Sequence, residues 1–332
     1  MLHSPKELAS DPHTMMENVT FASMGINPSA RDLHLGHYLT MYQFVQAIAA
    51  NKDTEGICFI DDREFDLGPK NYEAPEYFSA PDRGVVQMIV RKAVQALDMF
   101  AADTNDRGVR RRMYVRSMSE WMTDEGMNSK RTGEELFTLI HENREAILSA
   151  FTVGISEKSP APLMRPFCPE CKTGNRVESQ IIETKNALIS TCRNRDCKKR
   201  GESYVASPTT GDRNWSMFYT VDPLRDVLFS RARGGKVMHV FGGDYGLAWG
   251  AALKPTRIWT PEKPQGPSKA QRLTTLIPNI APDVQVDHYV GPLITKNGKK
   301  LAKSNGDRVS GFPQIDLLKS FLESGLKEVK IA

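Results

Sequence analysis

Two imidazoles three residues apart, His34 and His37, bracket a glycine in the run Pro28-Ser29-Ala30-Arg31-Asp32-Leu33-His34-Leu35-Gly36-His37-Tyr38. Before it lies a short apolar segment, Phe21 to Ile26. After it, Tyr38, Met41, Tyr42, Val45, Ile48 and Ala49 recur at helical spacing. The first reads as a buried strand, the second as an amphipathic helix. In an open parallel sheet, ligands bind at such strand-to-helix junctions, and the helix N-terminus offers free N–H groups and a positive dipole to phosphate. Gly36 lets a bulky ligand approach the backbone, and both rings can face one pocket. Taken alone, the run is equally two histidines at a helix start, one of them a cap.

Three further segments carry reactive side chains. Lys299-Lys300-Leu301-Ala302-Lys303-Ser304-Asn305-Gly306-Asp307 places ammonium groups beside a hydroxyl and a glycine. It suits a polyphosphate, and by itself it is equally a solvated basic turn. Phe241-Gly242-Gly243-Asp244-Tyr245 follows the apolar run Val237 to Phe241. Taken alone, this glycine pair before the Asp244 carboxylate is a turn after a strand. Asp61 and Asp62 close another apolar run, Gly56 to Ile60.

Four of the five cysteines fall within thirty residues. An odd total, and a Met1–Glu7 segment without the apolar stretch of a secretory signal, speak against a disulfide framework. Cys168 and Cys171 are separated by two residues, twenty more precede Cys192, and four lie between Cys192 and Cys197. Two close pairs flanking a β-rich stretch (Val177, Ile181, Ile182, Leu188, Ile189) have the layout of a zinc ribbon. Four thiolates complete a tetrahedron and leave no open position, so the zinc is structural. Cys58 reads as a small core residue.

The elements that must position these groups alternate. The strands at Phe21–Ile26, Gly56–Ile60 and Met113–Val115 are separated by the helix after Gly36 and by a second apolar stripe (Val85, Val86, Ile89, Val90, Ala93, Val94, Leu97). This is the α/β pattern of a parallel sheet with crossover helices. Residues 133–151 read as helix through Leu136, Leu139, Ile140, Ile147 and Leu148. Further strands are expected at Val237–Phe241, Arg257–Trp259 and Asp287–Val290, and a closing helix over Leu317, Leu318, Phe321 and Leu322. Glu64–Pro81 is an aperiodic excursion, Pro261–Pro267 a loop. The expected organisation is a first catalytic half over 1–160, a zinc-ribbon insertion over 161–212, a second half over 213–295, and a lysine loop with its C-terminal helix over 296–332.

Among 332 residues, 40% are apolar and 25% charged, which excludes a disordered chain. No apolar run approaches the ~20 residues of a bilayer-spanning helix, and a cytoplasmic location is expected. The net charge of +4 neither requires nor excludes nucleic acid. Its cations gather at Arg110–Arg112, around Arg193–Arg200 and at Lys296–Lys303. No internal repeat is visible.

Together, the histidine and lysine segments resemble the two signatures of class I aminoacyl-tRNA synthetases. His34-Leu35-Gly36-His37 is similar to their His-Ile-Gly-His motif with one change, and Lys300-Leu301-Ala302-Lys303-Ser304 to their Lys-Met-Ser-Lys-Ser loop with two. Their order and separation agree with that family. The four-cysteine ribbon between them, preceded by Pro166-Phe167 and followed by Trp215-Ser216-Met217-Phe218-Tyr219, looks most like the class I lysyl-tRNA synthetases, as do Ile26-Asn27-Pro28-Ser29 and Phe59-Ile60-Asp61-Asp62. Two features depart from the pattern. Ala30-Arg31 stands where relatives often place Gly after Pro-Ser. Only 28 residues follow Ser304, where full synthetases of this group continue into a helical anticodon-binding domain.

The resemblance implies a Rossmann-like catalytic domain and an AMP-forming ligase of protein biosynthesis that uses ATP and Mg²⁺ and carries a structural Zn²⁺. An amino acid, lysine by preference, would be activated to an aminoacyl-adenylate and passed to tRNA. With so short a C-terminal segment, the expectation includes a partner chain for tRNA recognition. Alternatively, the ligase would transfer the acyl group to a small-molecule amine. His34 and His37 would bond the phosphates and Gly36 would give the adenine room. Lys300 and Lys303 would clamp the pyrophosphate while Ser304 donates to it. Gly243 and Asp244 would receive ribose or substrate, and Asp61 or Asp62 would meet the substrate ammonium.

Overall fold

Continuous apolar runs, rather than alternating ones, mark strands buried on both faces, and they build the central sheet here. The computed structural model describes residues 1–3, 11–26, 33–60, 83–117, 135, 138–151, 164–166, 168–171, 177–182, 187–206, 215–217, 224–243, 268–296, 299–300, 312–323 and 328–331. The strand expected at Arg257–Trp259, the Glu64–Pro81 excursion and the Pro261–Pro267 loop lie outside them.

In chain order, β1 (Leu2–His3) and a single helical turn (Pro12–Met15) precede β2 (Val19–Ile26), α1 (Leu35–Ala50), β3 (Glu55–Ile60), α2 (Arg83–Ala102) and β4 (Met113–Ser117). Helix α3 (Arg144–Phe151) leads to β5 (Met164–Pro166), β6 (Val177–Ile182), β7 (Ala187–Cys192), β8 (Ser203–Ala206) and β9 (Trp215–Met217). Then come α4 (Arg225–Arg233), β10 (Lys236–Phe241), α5 (Lys269–Ile280), β11 (Gln285–Val290), β12 (Leu293–Lys296), β13 (Lys299–Lys300), α6 (Ile315–Glu323) and β14 (Glu328–Ile331).

The main sheet has the order β1-β11-β10-β2-β3-β4, and every neighbouring pair is parallel. Successive strands move from β2 outward through β3 to β4. The chain then returns to the other side of β2 with β10 and continues outward to β11. The direction of progress therefore reverses between β2 and β10. At such a switch point the crossovers leave on opposite sides, and a crevice opens at the carboxyl ends of the two strands.

Alternate residues of the strands feed two cores. One face packs Ala22, Met24, Ile26, Cys58, Ile60, Met238, Val240 and Tyr289 against α1, α2 and α6. The other packs Phe21, Ile57, Phe59, Val237, Phe241, Val286 and Val290 against α3, α4 and α5. Edge strand β4 buries only alternate residues and leaves Tyr114 37% exposed. Burial pushes the Cys58 thiol up to about 12, as befits the core role expected of it. In α6, Leu318 and Leu322 are buried and Phe321 partly so. Leu317, expected in the same stripe, is 43% exposed, because it lies one helical step off the buried face.

Outside the main sheet, β5 and β9 pair antiparallel and bring the two ends of the cysteine-bearing insertion side by side; β9 lies just past the expected boundary at 212. Within the insertion β6, β7 and β8 form an antiparallel sheet. A third small sheet has the order β13-β12-β14.

Candidate functional site

His34 is the N-cap of α1, with extended backbone, and its carbonyl accepts from His37 N at 2.9 Å. In return the His34 N–H donates to Nδ1 of His37 at 3.2 Å, and the two rings lie 3.8 Å apart between centroids. Because Nδ1 of His37 accepts, the neutral ring carries its proton on Nε2 and offers it as a donor. A Cβ on Gly36 would stand 2.8 Å from Cε1 of His34, so this glycine lets the ring fold over the first helical turn. Both histidines and Gly36 are half-buried. The sheet thus brings His34, Gly36 and His37 to the carboxyl end of β2, beside the switch point.

Helix α4 precedes β10, α5 precedes β11 and α2 precedes β4, each returning antiparallel to its strand. Their N-termini, like that of α1, therefore point to the sheet's carboxyl edge and add partial positive charge there. The N-cap of α5 is Ser268, whose hydroxyl accepts from Gln271 N at 3.2 Å while its own N–H donates to the Gln271 side chain at 2.7 Å.

At the end of β10, Phe241 O accepts from Gly291 N at 3.0 Å. A Cβ on Gly243 would lie 2.3 Å from Pro292 O and 2.4 Å from Leu293 N. The backbone that joins β11 to β12 thus packs directly against Gly243 on the side where a Cβ would stand. Asp244, next in sequence, lies outside the described residues, as do Asp61, Asp62, Lys303 and Ser304. Lys300, expected in a loop, stands in β13, where its backbone pairs with Thr295 of β12.

Mid-sheet, on the α4 and α5 face, a polar group lies that sequence reasoning passed over. Ser23, His239 and His288 occupy one register level on β2, β10 and β11. Ser23 Oγ donates to Asp226 Oδ1 at 2.7 Å and lies 2.8 Å from His239 Nδ1, which is 2.5 Å from Asp226 Oδ2. Burial alone would push the Asp226 carboxyl up. The His239 ring, the Ser23 hydroxyl and Arg225 outweigh it and hold the carboxyl below its ordinary value. Burial, with His239 alongside, pushes His288 down to about 3. The signal available was a lone polar residue inside each of two apolar runs, Ser23 and His239; β11 carries Asp287 beside His288.

The four cysteines meet as their spacing predicts. Their Sγ atoms all lie within 4.8 Å of one another, with Cys168 to Cys197 and Cys171 to Cys192 each 3.7 Å apart. Four thiolates at the usual Zn–S distance of about 2.3 Å define edges of about 3.8 Å, so the cluster fits a tetrahedral ion. Burial pushes the Cys192 thiol up to about 12. Thiolate charge in this cluster therefore calls for a cation. Lys199 N donates to Cys197 Sγ at 3.4 Å, and Gly201, at φ +83°, turns the chain back so that its N–H reaches Cys192 O at 2.8 Å. The four residues between Cys192 and Cys197 are accommodated by this turn.

Among the described residues no helix is long and apolar enough to cross a membrane. No protein-family model and no curated protein matches this sequence. Two solved structures are weakly similar. One is a cyclodipeptide synthase from Bacillus thermoamylovorans, at 15% identity over 43% of this chain and 58% of that one, with a TM-score of 0.25. The other is a putative arginyl tRNA synthetase from Campylobacter jejuni, at 11% identity over 98% of this chain and 70% of that one, with a TM-score of 0.27. The chain spans less than two thirds of the cyclodipeptide synthase. Likenesses of this strength establish neither family nor activity.

Proposed function

We propose that this chain activates an amino acid with ATP, giving an aminoacyl-adenylate and pyrophosphate, and passes the acyl group to an acceptor. One observation carries the reading: a His-Leu-Gly-His run, similar to the first class I synthetase signature, opens the helix that follows β2 at a topological switch point. The substrate carboxylate attacks the α-phosphorus, and positioning with charge stabilisation suffices for that step. The Nε2–H of His37 and the N-terminus of α1 supply donors where phosphate charge builds. Lys300, Lys303 and Ser304 take the leaving pyrophosphate in this reading, and Asp244 takes the ribose or the amino group. Among the described residues the cysteine cluster is the only group of three or more metal-ligating side chains, so Mg²⁺ belongs with the triphosphate and Zn²⁺ with the ribbon.

Lysine is the preferred amino acid, with Asp61 or Asp62 facing its ammonium, and tRNA the preferred acceptor. An ATP–pyrophosphate exchange screen over the proteinogenic amino acids, with and without bulk tRNA, tests the reading. Exchange with lysine and tRNA charging is the expected result. Exchange without charging would transfer the reading to a small-amine acceptor, and no exchange with any amino acid would remove it.

A further inference from the structure

The polar row beneath the switch point contains a base that amino-acid activation leaves unused. The Ser23 hydroxyl is committed to Asp226 Oδ1, so Nδ1 of His239 is the protonated nitrogen and donates to Ser23 Oγ at 2.8 Å, with Asp226 Oδ2 2.5 Å from the same nitrogen. A neutral His239 therefore carries a lone pair on Nε2, in the arrangement of a carboxylate-oriented imidazole base. His288 is a contrast one strand away. The Thr274 hydroxyl donates to Ala270 O at 2.9 Å, so it accepts from His288 Nδ1 at 3.0 Å. Nε2 of His288 is sealed without a partner, in a residue with no exposure.

His239 is not sealed in this way. Its side chain keeps 8% of its surface. Ser23 and Asp226 lie at its Nδ1 edge, and its Nε2, unlike that of His288, is not sealed off from the surface. Asp226 belongs to the first turn of α4, whose N-terminus faces the crevice and favours the carboxylate. Phe241 lies against the ring at 4.1 Å between centroids and leads directly into Gly242-Gly243.

We propose that His239 is the proton acceptor of the acyl-transfer step, with Asp226 and Ser23 as its positioning residues; the assignment rests on the adenylate reading above. Activation has no use for a base, because its nucleophile is an already ionised carboxylate. Transfer does, because the acceptor's hydroxyl or neutral amine carries a proton. The acceptor atom forms a bond to the carbonyl carbon, and the bond from that carbon to the phosphate oxygen breaks. AMP leaves with the electron pair, and the acceptor's proton moves to Nε2.

The experiment uses the full chain with the amino acid that gives exchange. The adenylate is formed in the presence of pyrophosphatase, and AMP release is followed in single turnovers with water alone, ethanolamine or bulk tRNA as acceptor. His239→Gln is expected to slow AMP release ~100-fold, far more than it slows pyrophosphate exchange. Imidazole is expected to restore release in His239→Ala. Ser23→Ala removes only a hydroxyl and keeps the test decisive if the other variants fail to fold; slower release at unaltered exchange is expected of it. Parallel losses in exchange and release, or no restoration of release by imidazole in His239→Ala, would overturn the assignment alone. A wild-type chain without exchange would overturn the adenylate reading and this assignment with it.

Discussion

The backbone N–H of His34 donates to Nδ1 of His37 across 3.2 Å, and this bond fixes which proton His37 can offer. With Nδ1 accepting, Nε2 of the neutral ring carries the hydrogen. Losing one such preorganised donor to a developing phosphate charge costs ~10²–10³ in rate. His37→Ala is therefore expected to lower ATP–pyrophosphate exchange by about two orders of magnitude, with a smaller change in the KM for ATP. Steady-state exchange kinetics measure both.

Gly243 stands directly against the backbone that joins β11 to β12. Its missing Cβ would meet Pro292 O and Leu293 N at 2.3 and 2.4 Å, and neither atom can swing aside as a side-chain tip would. Gly243→Ala must separate the end of β10 from the β11–β12 connection. Overpacking of this kind costs about 1–3 kcal/mol or more. A lowered denaturation midpoint in urea is expected, with exchange reduced in proportion to the displaced segment.

The cysteine cluster is expected to bind one zinc ion per chain, measured by elemental analysis of protein purified without chelator. Cys192→Ser removes a buried ligand 3.7 Å from Cys171 and leaves three thiolates. Zinc content is expected to fall and proteolysis within 168–206 to quicken. Pyrophosphate exchange is expected to fall far less, since the four-sulfur shell has no place for substrate.

Stability should depend on pH through His288. Its folded-state value, about 3, lies below the ~6.5 of an unfolded histidine. Between those values the unfolded chain binds a proton that the folded one excludes, so stability rises with pH. This contribution is complete above about pH 6.5 and is lost as pH falls toward 3, with a slope approaching ~1.4 kcal/mol per pH unit. Asp226, held below its ordinary value, adds loss of the same sign below about pH 4. Urea titrations from pH 4 to 7 should show this slope, and His288→Gln should flatten it.

Local features were legible in the sequence to the extent that they depend on neighbours along the chain. The buried runs at Phe21–Ile26, Gly56–Ile60 and Val237–Phe241 became parallel strands, because a strand covered on both faces has no polar alternation to disguise it. The cysteine spacing foretold its cluster, since four ligands to one ion constrain a short segment on their own. What depends on long-range register was not legible. Ser23 lies more than 200 residues from Asp226 and His239 in sequence, and only the β2–β10 pairing brings them level. Nor could the sequence show that Pro292 and Leu293 pack against Gly243 where a Cβ would stand. Lys300 read as loop, although the backbone ladder to Thr295 draws it into a strand with no apolar pattern of its own.

Incorporation of labelled pyrophosphate into ATP, measured with each proteinogenic amino acid in turn, tests the central claim most directly. The predicted result is incorporation that depends on one amino acid, lysine by preference, and that falls about a hundredfold in His37→Ala. Incorporation with no amino acid, or equal incorporation by the wild type and by a chain lacking both His34 and His37 imidazoles, would contradict it.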